Sequence, residues 1–217
     1  MKLVNLGESD SILNKFVAQL RDVEVQKDSM RFRYNLQRLG GIFAYEISKT
    51  LEYSAKDVQT PNAVASVRTP DSKVVLSTVM RAGLPLYDGL LSCFDDAQNA
   101  FIAAFRKYDE DHRLVIDSHY CATPELDGKV LMLADTMLAT GSSILVAYRK
   151  LISEGGQPVH THFVCPIACK YAVEKLAETL PENTTLWTAT IDPTLDSRSY
   201  IVPGLGDAGD LCFGEKL

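Results

Sequence analysis

The stretch Val130-Leu-Met-Leu-Ala-Asp135-Thr-Met-Leu-Ala-Thr140-Gly141-Ser142-Ser143 decides how this chain is read. Its four leading apolar residues predict a short buried strand, and the helical spacing of Ile144–Ile152 predicts a helix behind a loop of small and hydroxylated residues. A strand that opens through such a loop into a helix leaves several backbone N–H groups unpaired. Together with the positive end of the helix dipole they can hold a phosphate. Asp135 stands at the carboxyl end of the strand, where open parallel sheets bind ligands. The plainer alternative is an ordinary connection in which Thr140 or Ser142 caps the helix. A Walker loop would need Gly-Lys-Ser/Thr and a dinucleotide fingerprint Gly-x-Gly-x-x-Gly, and the stretch contains neither.

The same strand–loop–helix pattern recurs on both sides. Lys73–Met80 reads as a strand that runs into Arg81-Ala-Gly-Leu-Pro85 and a helix carrying Asp88, Leu90 and Leu91. Ala100–Phe105, ending at Arg106-Lys107, reads as one arm of a flap over residues 100–125. Its acidic tip is Asp109-Glu-Asp111, and it returns through Leu114–Ile116. Val159–Cys165 and Thr185–Ile191 read as strands around a helix from Tyr171 to Leu180. This alternation predicts an α/β fold, a parallel sheet with helices on both faces. Before Lys73 the sequence predicts helices over Ile12–Asp22, capped within Ser9–Ser11, and from about Asp28 to Leu51. Gly40-Gly41 within the second helix costs propensity and predicts a close packing contact. The expected organisation is one domain over 1–217. A helical N-terminal arm (1–60) forms a side layer or clasps a second subunit, and the tail covers 192–217.

With 217 residues, 46% hydrophobic and 23% charged, the chain has material for one large core. A net charge of −6 argues against a broad nucleic-acid or membrane surface, so an anionic ligand must be met by a local cluster of amides and arginines. The scattered Cys93, Cys121, Cys165, Cys169 and Cys212 form no Cys-x-x-Cys pair and fit reduced thiols in a cytoplasmic protein, and the N-terminus lacks the apolar core of a signal peptide. His160 and His162 fall on one face of their strand and Cys165 on the other, which argues against zinc. His112 and His119 have no nucleophile near them in sequence, and Trp187 reads as core. The tail Tyr200-Ile-Val-Pro-Gly-Leu-Gly206-Asp-Ala-Gly-Asp210 is too rich in Gly and Pro for a helix and too apolar for a disordered end. Such a loop exposes its own backbone and can read a flat heterocycle.

Arg81-Ala-Gly-Leu, the Asp135–Ser143 loop and the Tyr200–Asp210 tail, in this order and spacing, resemble the uracil phosphoribosyltransferase family over essentially the whole length. Leu20-Arg-Asp22, Met30-Arg-Phe-Arg33, Ala44-Tyr-Glu46, Thr190-x-Asp192 and Phe213-Gly214 resemble it too. The resemblance implies transfer of phosphoribose from phosphoribosyl pyrophosphate (PRPP) to N1 of uracil, giving UMP and pyrophosphate with Mg2+, by a homodimer or higher oligomer. Asp135, Thr136, Met137, Leu138, Ala139, Thr140, Gly141, Ser142 and Ser143 would then hold the ribose 5-phosphate, Asp135 through the ribose hydroxyls. Arg81 and Arg106 would serve the pyrophosphate side. Ile201, Gly206 and Ala208 would read uracil, and Asp207 would lie beside ribose and magnesium.

The chain departs from the family pattern at Thr136 (usually Pro), Ser142 (usually Gly), Pro85 (usually Gly) and Ala122 (a Lys is expected). Of the flap pattern only Arg106 and Pro124 remain, with Lys107 as a substitute cation. This erosion also admits a regulator that binds UMP or PRPP and has weakened catalysis.

Overall fold

The computed structural model describes residues 1–108 and 114–215, and of 104–108 and 114–119 the backbone alone. The acidic flap tip and His112 therefore lie outside the described residues. The chain opens with β1 (Lys2–Asn5), a single 3-10 turn, and helices α1 (Ile12–Arg21) and α2 (Ser29–Ser48). Ser11 and Asp28 cap these helices through their side-chain oxygens. A hairpin, β2 (Tyr53–Gln59) and β3 (Val64–Pro70), precedes β4 (Val74–Val79) and α3 (Leu84–Leu91). The flap strands β5 (Gln98–Tyr108) and β6 (Leu114–Ala122) lead to β7 (Val130–Ala134), the two-residue β8 (Met137–Leu138) and α4 (Ser142–Gly155). The chain ends with β9 (His160–Val164), β10 (Ile167–Cys169), α5 (Lys170–Thr179), β11 (Thr184–Thr188), β12 (Thr190–Asp192), β13 (Thr194–Leu195), β14 (Ile201–Val202) and α6 (Ala208–Phe213).

The main sheet runs β1-β11-β9-β7-β4-β5-β6, and all its pairings are parallel except β5 with β6. Alternation divides the buried strand residues between two layers. Leu76, Met132, Ala134 and Val164 pack with α1, α2 and α3, whereas Val75, Leu131, Leu133 and Phe163 pack with α4 and α5. The two N-terminal helices form the side layer that the sequence offered as one option. Two features were not legible there. β1 is a short edge strand beside β11, and the β2–β3 hairpin is mostly exposed, so it carries no apolar stripe to betray it.

The histidine pair occupies the expected face. The rings of His160 and His162 are 4.6 Å apart, and His162 Nδ1 accepts a hydrogen bond from Trp187 Nε1 at 3.0 Å. Among the described residues no cluster of His, Cys, Asp and Glu could hold a metal ion. Burial, and then the charge of His160, push His162 down to about 3. It is neutral when folded, while the unfolded residue takes a proton near its ordinary value, so stability falls as pH drops from about 6.5 towards 3. Urea unfolding at pH 7 and pH 5 should show a loss of about 2 kcal/mol from this group, largely absent in His162→Gln. Identical pH dependence in the two proteins would remove His162 as the cause.

Candidate active site

β4 and β7 are neighbours, yet their connections leave in opposite directions, β4 through α3 to β5 and β7 through α4 to β9. Such a reversal opens a crevice at the carboxyl ends of the strands. The Arg81 loop leaves β4 and the Asp135 loop leaves β7 at this point. Beyond it the chain continues from β7, β9 and β11 into β8, β10 and β12, which form a second, small parallel sheet. The Asp135 amide donates to the Val164 carbonyl at 3.0 Å, and the buried Thr136 donates from Oγ1 to the Ala82 carbonyl at 2.7 Å. Thr136 thus ties the two loops together. Pro85 falls in the first turn of α3, where its missing N–H costs no helical bond.

A cleft of about 470 Å3 opens between these loops and the tail. Arg81, Asp135, Thr136, Met137, Ala139 and Ser143 line it from the strand ends, and Ile201, Gly206, Asp207 and Ala208 line it from the tail. Leu138 turns into the core instead, 1% exposed, because β8 alternates and that side faces α4 and α5. Thr140, Gly141 and Ser142 stand at the start of α4 and do not line the cleft. The Arg106 backbone sits on β5 opposite Ile116, and its side chain lies outside the described residues. Arg198, Ser199 and Tyr200 also line the cleft, although sequence reasoning did not single out the first two.

The tail is not wholly a loop. From Ala208 it forms α6, whose N-terminus is capped by Asp207 Oδ1 accepting from the amides of Gly209 (2.9 Å) and Asp210 (3.0 Å). The Gly and Pro content masked this helix because Asp207-Ala-Gly-Asp supplies the cap inside the Gly-rich run. Three arginines hold the segment in place. Arg21 pairs with the buried Asp192 at 2.8 Å, and Asp192 Oδ2 accepts from the Gly204 amide at 2.9 Å. Arg33 donates to the Cys212 carbonyl at 2.6 Å, and Arg81 pairs with Asp210 at 3.0 Å. The Arg21–Asp192 anchor escaped sequence analysis because the partners are 171 residues apart.

At the start of α4 the N-cap is Gly141, with φ of 73°, and no side chain caps the helix. The expected caps Thr140 and Ser142 bond each other, Thr140 Oγ1 donating to Ser142 Oγ at 3.2 Å and accepting from the Ser142 amide at 3.4 Å. The left-handed backbone at Gly141 makes this residue the N-cap, so Thr140 reaches the first helical amide from one position earlier. Gly141 offers no side chain to the first-turn amides that follow it, and such a helix end suits an anion.

A larger hollow of about 810 Å3 lies at the opposite, amino ends of the strands, lined by Lys2, Lys73, Lys129, His160 and Glu125 among others. Ligands of parallel sheets bind at the carboxyl ends, so the smaller cleft is the candidate.

The family model described as uracil phosphoribosyltransferase matches residues 8–215. A uracil phosphoribosyltransferase of Porphyromonas gingivalis is 48% identical, with all of both chains covered. One of Sulfolobus acidocaldarius is 35% identical over 95% of this chain and 97% of its own. A solved structure of a protein from Aquifex aeolicus superposes with a TM-score of 0.85 at 27% identity, covering 98% of each chain.

Proposed function

Because this chain belongs to the uracil phosphoribosyltransferase family, we propose that it transfers phosphoribose from PRPP to N1 of uracil, releasing UMP and pyrophosphate. The observation that carries the reading is the meeting of the Arg81 loop, the Asp135 loop and the Gly-rich tail around one cleft. The regulator alternative has no comparable support, since the relatives reported above are themselves named as the transferase.

Breaking the anomeric C–O bond builds positive charge on ribose and negative charge on departing pyrophosphate. Asp135 and Asp207 stand by the sugar, and Arg81, with Arg106, serves the leaving side. The first-turn amides of α4 with Thr140–Ser143 take the 5-phosphate. Uracil is read by Ile201, Gly206 and Ala208, mainly through backbone groups, and such polar readout rejects bases that leave those groups unpaired. Arg81 is held by Asp210 in an ion pair whose side chains are 40% and 30% exposed. An exposed pair contributes about 0–1 kcal/mol, so pyrophosphate can displace Asp210. Beyond Ile102 the β5 strand pairs with β6 alone, and closure of this flap would keep water from the cation-like centre.

Mg2+ fits the donor set. Two carboxylates border the cleft, without a third ligand among the described residues to build a cage, which suits an ion that arrives on the pyrophosphate oxygens. When bound it would neutralise charge on the leaving group. The reading includes a cytoplasmic homodimer or higher homo-oligomer. No described helix is long and apolar enough to cross a membrane.

The test is UMP formation from uracil, PRPP and magnesium by the purified protein. Absence of UMP, with calorimetry detecting UMP binding, would reject the enzyme and restore the regulator. Arg81→Ala should lower turnover at least ~10-fold, about 1.4 kcal/mol of leaving-group stabilisation. Asp210→Asn, which loosens the tail contact while keeping the arginine, should cost far less. Equal losses would make Arg81 a tether for the tail only.

A further inference from the structure

We propose that Lys175, on α5, is a positioning residue of the phosphate loop that acts through the hydroxyl of Ser142. The inference rests on the reading of the Thr140–Ser143 loop as the 5-phosphate site. Lys175 crosses from α5 to that loop and donates from Nζ to the Thr140 carbonyl at 3.1 Å and to Ser142 Oγ at 3.0 Å. The two elements are in close contact beneath it, since a side chain on Gly141 would meet Leu176, and Ala172 lies within 3.7 Å. Lys175 is thus one residue from the side chain on which the loop rests, and α5 fixes where its ammonium can reach.

The hydrogen-bond inventory of Ser142 gives this contact a direction. A serine hydroxyl offers one donor and two acceptor positions. Ser142 Oγ accepts from Lys175 Nζ and from Thr140 Oγ1, so both acceptor positions are used. Its own O–H therefore has to donate, and a bond from an ammonium strengthens it as a donor. Ser142 is also the first residue of α4, its amide donating to Thr140 Oγ1 at 3.4 Å, and the N-cap Gly141 supplies no side chain to the amides that follow. The lysine so turns a hydroxyl that could face either way into a donor for an anion at the helix end. It also brings a positive charge to the loop without standing in the cleft.

A glycine at position 142 would leave Lys175 only the Thr140 carbonyl. The ligand class served is a phosphomonoester, here the 5-phosphate of PRPP or UMP. Base recognition by the tail should be indifferent to it.

Calorimetry with UMP and with uridine, which differ only in the phosphate, tests the proposal on the full-length protein. Lys175→Met should weaken UMP about tenfold, the loss of one charge-assisted bond, and leave uridine unchanged. Ser142→Ala, which leaves α5 untouched, should show the same selectivity for UMP, and Lys175→Arg should retain most of the affinity. If UMP and uridine weaken together, Lys175 only supports the fold and the proposal is overturned. Unchanged affinity for both ligands in Lys175→Met and Ser142→Ala overturns it as well. If the unmodified protein does not bind UMP, the function proposed above fails first and takes this inference with it, an outcome distinct from the other two.

Discussion

Asp135→Asn should lower kcat/KM for UMP formation by about 10²–10³-fold, the ~2.7–4 kcal/mol that one preorganised electrostatic partner contributes when it faces developing charge. The substitution keeps size and shape, removes the negative charge and turns one acceptor oxygen into a donor. The contact that holds the loop to β9 is made by the Asp135 backbone amide to the Val164 carbonyl, so it survives the change. Thr136 continues to tie the loop to Ala82. The loss should therefore appear in turnover, with the thermal midpoint almost unmoved. Steady-state kinetics at saturating magnesium checks it. A loss smaller than threefold would mean that the residue 135 carboxylate does not face the sugar in the transition state.

The second large effect concerns stability, and it starts from Gly40. Helices α2 and α3 cross with Gly40 against Gly89. A side chain on Gly40 would fall on the Leu86 carbonyl oxygen and within 2.8 Å of Gly89 Cα. Both obstacles are backbone, so α3 as a whole has to move. Gly40→Ala gains about 1 kcal/mol of helix propensity, but overpacking against fixed backbone costs about 3 kcal/mol, and the clash wins. A net loss of about 2 kcal/mol corresponds to a fall of about 4–8 °C in Tm for a chain of this size. Gly41→Ala is the matched control. Its new methyl would meet only the Gly89 carbonyl at 4.0 Å, so the propensity gain should stand and the protein should be unchanged or more stable. Because α3 begins at Leu84, directly after the Arg81 loop, Gly40→Ala should also reduce activity. Calorimetric midpoints of the two variants that coincide would refute the crossing as described.

The legible parts of this protein are those whose signal is local. Val130–Ala134 announced a buried strand because both its faces are covered, and all five residues are buried. The two N-terminal helices were readable from their apolar stripes, the first also from its cap, and the Gly40–Gly41 pair from its cost within a helix. The three loops of the cleft were recognisable as motifs, which named the residues before any geometry was known. What escaped was either unpatterned or remote. The β2–β3 hairpin has no buried face, β1 is four residues long, and α6 is hidden in a run of glycines. Leu138 was grouped with its loop, whereas alternation in β8 sends it into the core.

Sequence alone determined the alternating α/β order, the family and the chemistry of the residues at the ends of β4 and β7, because periodicity and motif are properties of neighbours along the chain. Tertiary structure decided which of those residues share a cleft and what holds them there. Arg21 meets Asp192, Arg81 meets Asp210 and Lys175 meets Ser142 only once the strands have taken the order β9-β7-β4 and the tail has folded back over their ends. Each of these contacts joins segments far apart in the chain, and no local preference encodes them. They exist because burying the two faces of one sheet leaves the helices and the tail a single way to pack.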